Sequence, residues 1–211
     1  MLSRGWSWTG STYRRYTFSI PAGGGTQTIN IPDKSLSLTG LIAIARLNDD
    51  LSKVQKYQNY FRNGGAFNGT GTGGSEFNLQ IGSQQYPANK VAYQATTSAK
   101  ANGNAFKVTQ AIKQIEAVLG YVPNECKETF GQLANDASTA GTALKGLGFL
   151  AVQCGFPQGQ GIDTQSASVP VILNCGMTAE TNGQTLTVYC QSTAMFRMSP
   201  GQGFINVVSF I

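Results

Sequence analysis

The stretch EFNLQIGSQQYP, Glu76 to Pro87, decides the fold. Phe77, Leu79 and Ile81 alternate with Glu76, Asn78 and Gln80, the period-2 pattern of a strand with one buried face. Gly82 and Pro87 punctuate the run, and beyond it the sequence turns from strand alternation to small-residue, helix-periodic composition. The expectation is a strand that ends at Pro87, a helical excursion that leaves the sheet there, and a later return to strands.

Working outward, the segments before this stretch read as sheet. Tyr16, Phe18 and Ile20 share one face of a strand stopped by Pro21, and Thr28 to Ile31 alternates again up to Pro32. Ser35 to Arg46 is a longer apolar run whose central Gly40 suits a bulge. Residues 1–12, with Trp6 and Trp8 two apart and therefore on the same side of an extended segment, read as an N-terminal arm. Residues 13–211 then form a single jelly-roll domain with a helical insertion at about 104–137.

Downstream, Lys90 to Tyr93 suits a short strand. Val108, Ala111, Ile112, Ile115, Val118 and Leu119 recur at three- and four-residue steps, with Asn104 as N-cap and Gly120 as the residue that ends the helix. Asn124 to Ala137 reads as a second, weaker helix, and both apolar stripes should dock on a sheet edge or a neighbouring domain. Strand alternation returns at Leu147 to Cys154, Val169 to Cys175, Thr185 through Phe196, and Phe204 to Ile211. Thr181-Asn182-Gly183 predicts a hairpin between the second and third of these, since Asn-Gly fits a type I′ turn. The fold class expected is an all-β jelly-roll sandwich of about eight antiparallel strands with an inserted helical segment.

Charged residues make up 12% of the 211-residue chain, about half the usual share, while glycine and uncharged polar residues abound. Such a surface suits packed assemblies or extracellular particles. The net charge of +5 is spread thinly, with only Arg14 and Arg15 adjacent, so nucleic-acid contact is expected to be non-specific at most. No run approaches the ~18 consecutive apolar residues of a membrane helix, and no secretory signal precedes Gly10, so the chain reads as soluble and intracellular when made.

Catalytic chemistry is poorly supplied. Histidine is absent, which removes Ser-His-Asp and Cys-His arrangements and most zinc sites. Cys126, Cys154, Cys175 and Cys190 form no CxxC pair, and the last three sit in strand-like runs where a thiol behaves as a small apolar group. Neither Cys154 nor Cys190 has a neighbouring cation or helix N-terminus to activate it. Glu76 and Asp163 could meet as paired acids only through the fold. Asn63 to Gly74 carries a glycine-rich GTGTGG without the Lys-Ser/Thr ending of a phosphate loop, and Asn68-Gly69-Thr70 fits a glycosylation acceptor by chance. The expectation is no catalytic residue, no cofactor and no metal. A carbohydrate-binding sandwich is the competing class, with Trp6, Trp8 and Tyr86 as stacking faces.

SLSLTGLIAIAR (Ser35 to Arg46), FNLQIGSQQYP (Phe77 to Pro87), and GFLAVQ and GIDTQSASVPVIL (within Gly148 to Leu173) carry a resemblance over most of the chain. FRMSPGQGFINVVSF (Phe196 to Phe210) adds to it in character. The sequence resembles the second jelly roll of the double-jelly-roll major capsid proteins of tailless icosahedral DNA viruses, such as virophages and polinton-like viruses. The resemblance implies a homotrimer forming a pseudo-hexagonal capsomer, upright strands, and self-assembly into the virion shell. Implied partners are other copies of the chain, a first jelly-roll half, and minor capsid or penton proteins. Because 211 residues hold one jelly roll, the chain is expected to be a C-terminal half, a cleaved product or a single-jelly-roll relative.

Overall fold

The computed structural model describes residues 6–23, 25–48, 76–92, 107–120, 149–155, 160–165, 169–177, 183–198 and 205–209. In chain order these hold β1 (Trp6–Ile20), β2 (Gly25–Ile31), β3 (Leu38–Leu47), β4 (Glu76–Ile81), β5 (Gln84–Ala92), α1 (Lys107–Leu119), β6 (Phe149–Gln153), β7 (Val171–Met177), β8 (Gln184–Met198) and β9 (Ile205–Ser209).

The antiparallel pairs nest: β1 with β8, β2 with β7, β3 with β6 and β4 with β5. Pairing of β3 with β8 and of β4 with β7 knits them into two sheets, ordered β1-β8-β3-β6 and β2-β7-β4-β5. Nested pairing is what results when one long antiparallel ribbon is rolled around itself, and it defines the jelly-roll sandwich. β9 is an addition, pairing with β8 beyond the part of β8 that β3 reaches.

The core lies between the inner faces. Ile29 and Ile31, Leu41 and Ala43, Phe77, Leu79 and Ile81, Val171, Leu173 and Cys175, and Leu186 and Val188 are buried there at two-residue intervals. Each large side chain so covered contributes about 1.5–3 kcal/mol through removal of apolar surface from water.

Glu76 to Pro87 is not one strand ending in an exit. It contains a hairpin, because Gly82 takes a φ of 61° and the two-residue turn Gly82-Ser83 sets Ile81 opposite Gln84. Pro87 falls inside edge strand β5, where Leu79 faces Tyr86 but Phe77 faces Val91, so residues 87–90 bulge out of the ladder. Lys90 to Ala92 completes β5.

The hairpin expected around Asn182 is also corrected. β7 pairs with β2 and β4 in one sheet and β8 with β1 and β3 in the other, so the connection crosses between sheets. The rolled topology overrides the local turn preference; Gly183 does adopt a φ of 71°, while Thr181 and Asn182 lie outside the described residues. β1 begins at Trp6, within the stretch read as an arm. Asn104, the helix read at Asn124 to Ala137 and the loop from Asn63 to Gly74 lie outside the described residues.

Candidate functional site

Among the described residues three places hold side chains whose arrangement goes beyond filling the core: the covered sheet edge at β6, a buried polar lock beside β1, and an aromatic shelf at the far end of β1 and β8.

At β6 the apolar stripe of α1 does what its spacing predicts. Ile115 and Val118 pack on Ala151, Ile42 and Ile44, all on the outer face of the first sheet. Gly40 permits this approach, since a Cβ there would stand 3.2 Å from Val118 Cγ2 and 3.2 Å from Gln191 Oε1. Gln114 finishes the edge: its Oε1 accepts a 3.1 Å hydrogen bond from the backbone N–H of Gln153, the last residue of β6. The helix stops where Gly120, at φ 71°, donates its N–H to the Glu116 carbonyl at 2.9 Å.

The lock is built on Asp33, whose side chain is buried. Its Oδ1 accepts from the Tyr16 hydroxyl at 3.1 Å and its Oδ2 from the Ser35 hydroxyl at 2.6 Å, and the Arg14 guanidinium lies 3.8 Å away. Arg14 also donates to the Lys34 carbonyl. Ser35 in turn holds Thr164 through its N–H and carbonyl, and Gly161 donates to the Ser37 hydroxyl at 2.9 Å. A buried carboxylate needs such partners, and the result pins two crossings, residues 32–37 and 160–165, to β1 and β3. Burial, with the Asp33 charge and hydrogen bond adding to it, pushes the Tyr16 hydroxyl up to about 12.

The shelf follows from strand length. β1 and β8 each run 15 residues and stay in register throughout, so Trp8 lies opposite Phe196 and Trp6 opposite Met198. These side chains continue the inner-face parity of Phe18, Tyr16, Leu186 and Val188, but β2 and its sheet do not extend over them. Trp8 stacks on Phe196 at 5.6 Å between ring centres, 18° from parallel, and Trp6 tilts against Trp8 at 6.4 Å and 55°. Trp6 is 69% exposed, Trp8 39% and Met198 37%, so apolar surface gathers at this one spot.

Of the three aromatics weighed as sugar platforms, the structure brings Trp6 and Trp8 together and leaves Tyr86 on the other sheet, half-buried and bonded to Gln84. Phe196 is the member that sequence reading did not place in the shelf; its only signal is the β1–β8 register, which no local pattern reveals. Glu76 and Asp163 do not meet. Asp163 follows Ile162, which bridges Leu38 where β3 begins, whereas Glu76 opens β4 at the sandwich's other end.

Cys154, Cys175 and Cys190 are free thiols, and burial is the leading cause of a raised pKa in each, to about 12 for Cys154 and Cys175. A thiol held in its neutral form is a poor nucleophile. Arg14 and Arg15, adjacent in sequence, point to opposite faces of β1 and make no joint patch. Among the described residues no helix is long and apolar enough to cross a membrane, and no cluster of His, Cys, Asp and Glu could hold a metal ion.

No family model matches the chain, and no curated protein does. Solved structures do. The crystal structure of PBCV-1 VP54 fitted into a cryo-EM reconstruction of the virophage Sputnik superposes with a TM-score of 0.51 at 10% identity, over 98% of this chain and 52% of that one. The quasi-atomic model of the PBCV-1 virus capsid gives 0.49 at 8% identity, with the same coverage. The chain therefore spans about half the length of the solved chains it matches, and what it shares with VP54 is the fold.

Proposed function

We propose that this chain is a viral capsid protein, a jelly roll that assembles with copies of itself into trimeric capsomers of an icosahedral shell. The observation that carries the reading is the complete nested strand order, superposable along 98% of the chain on a protein whose structure has been fitted into a virophage particle. The sparse charge of the sequence, 12%, agrees with a surface meant to be packed rather than solvated. The resemblance carried by residues 35–46, 77–87 and 148–173 points the same way. On this reading the protein resides in the virion and works without catalysis, and burial disfavours Cys154, Cys175 and Cys190 as nucleophiles.

Light scattering of the purified full chain over a range of concentrations, with negative-stain imaging of the same samples, tests the proposal. Trimers and larger regular particles are expected, held by interfaces of the obligate class above ~2,000 Å². A monomer at every concentration contradicts it, and glycan binding by that monomer would favour a carbohydrate-binding role for Trp6 and Trp8.

A further inference from the structure

Among the described residues β1 is the outer strand of its sheet and pairs on one side only, with β8. Its other edge offers a 15-residue row of backbone donors and acceptors with no proline within it. Natural edges are usually shortened, charged or covered to prevent pairing. Here the only charges are Arg14 and Arg15, and the aromatics of the shelf stand beside the bare edge.

We propose that β1 pairs antiparallel with β1 of a second copy of this chain, about a two-fold axis at Thr12. This rests on the self-assembly proposed above and names one of its contacts. The residues favour this register. Directly opposed residues of an antiparallel pair share a face, so a two-fold must pass through a residue position. Centring on Arg14 or Arg15 sets an arginine against its own copy, which is unfavourable. Centring on Thr12 sets Arg14 against Gly10 and Arg15 against Thr9 of the second copy. The same register sets Trp6 against Phe18 and Trp8 against Tyr16 of the second copy, and Thr12 against Thr12; aromatic and threonine pairs of this kind are among the favourable cross-strand neighbours.

The match explains why Tyr16 and Phe18 are only half-covered at the sheet margin and why the inner-face row runs on into exposed tryptophan. Residues 6–18 supply about 40 Å of edge at ~3.3 Å per residue. With an edge about 10 Å deep and the exposed parts, 69% and 39%, of two indole rings of ~150–250 Å² each, the contact reaches about 600 Å² per copy, the lower end of the range for specific interfaces. A two-fold contact cannot close a ring of three. It therefore joins one capsomer to another.

The test is disulfide trapping in the full chain with Cys126→Ser as background. Thr12→Cys places two thiols across the axis within the Cα separation a disulfide spans, whereas Ser19→Cys lies outside the paired segment. Under mild oxidation Thr12→Cys is expected to give at least tenfold more covalent dimer than Ser19→Cys. Adding Trp6→Ala and Trp8→Ala should cut that yield severalfold with circular dichroism unchanged. The doubly substituted Ser7→Cys/Thr17→Cys chain, whose positions oppose each other on the outer face, gives the same reading should Thr12→Cys not fold. Equal trapping at positions 12 and 19, with wild-type particles still forming, overturns the β1 contact and leaves the capsid reading standing. A wild type that stays monomeric overturns both.

Discussion

The two outer strands of one sheet are treated in opposite ways. β6, only 5 residues long, lies under a helix that fills its outer face and bonds its last N–H. β1, 15 residues long, has no partner on its outer margin among the described residues and begins with exposed tryptophans. On the proposed β1 contact, stability and association are assigned to different margins of the same sheet.

The strongest way to break this contrast is to truncate each margin. Ile115→Ala, at a fully buried position under the helix, should lower unfolding free energy by about 2–4 kcal/mol, read as a shifted urea midpoint. If removing Trp6 costs as much as removing Ile115, the division of labour is wrong. Next in size, Gly40→Val puts new atoms where Val118 and Gln191 already stand, and should cost about 1–3 kcal/mol. Its effect should shrink, with the Gln191 contact remaining, in a chain whose α1 has already been loosened by Ile115→Ala.

High pH gives a third comparison, because the groups it acts on face the shared core rather than the shelf. The buried thiols of Cys175 and Cys190 and the Tyr16 hydroxyl all have pKa values raised in the folded chain. Above the ordinary thiol value of 9.0 the unfolded chain ionises first and binds fewer protons than the folded one. Stability therefore falls as pH rises from about 9 toward 12, with Tyr16 joining above its ordinary 10.0. Denaturation at pH 7, 9 and 10.5 should show this loss, with the same slope in Trp6→Ala as in the wild type. Below these effects, Gln114→Ala removes the acceptor of the Gln153 N–H and should cost ~1 kcal/mol. Smallest in stability, Trp6→Ala should stay within ~0.5 kcal/mol while weakening association.

Much of the sandwich was legible because its causes are local. Two-residue alternation marked the inner faces of β2, β4, β7 and β8, and three- and four-residue steps marked the buried face of α1 at Ala111, Ile115 and Val118. The central Gly40 suits a bulge, and the β3–β8 register does shift between Leu38 and Gly40. What failed was pairing. Glu76 to Pro87 reads as one strand ending at Pro87, whereas Gly82 within it is the turn of a hairpin; Asn182-Gly183 reads as a hairpin, whereas β7 and β8 lie in different sheets. Turn residues report that the chain reverses, whereas the choice of neighbour is made by distant strands already competing for the same edge. The shelf was half visible for the same reason: Trp6 and Trp8 announce themselves two apart, while Phe196 joins them only through the register of β1 with β8.

Hydrogen exchange resolved along β1 and β6, compared between dilute monomer and concentrated sample, tests the contrast most directly. Alternate amides of residues 6–18, those turned away from β8, should slow on concentration, while β6 exchanges at one rate in both. Unchanged exchange in residues 6–18 in a sample that has assembled would contradict the account.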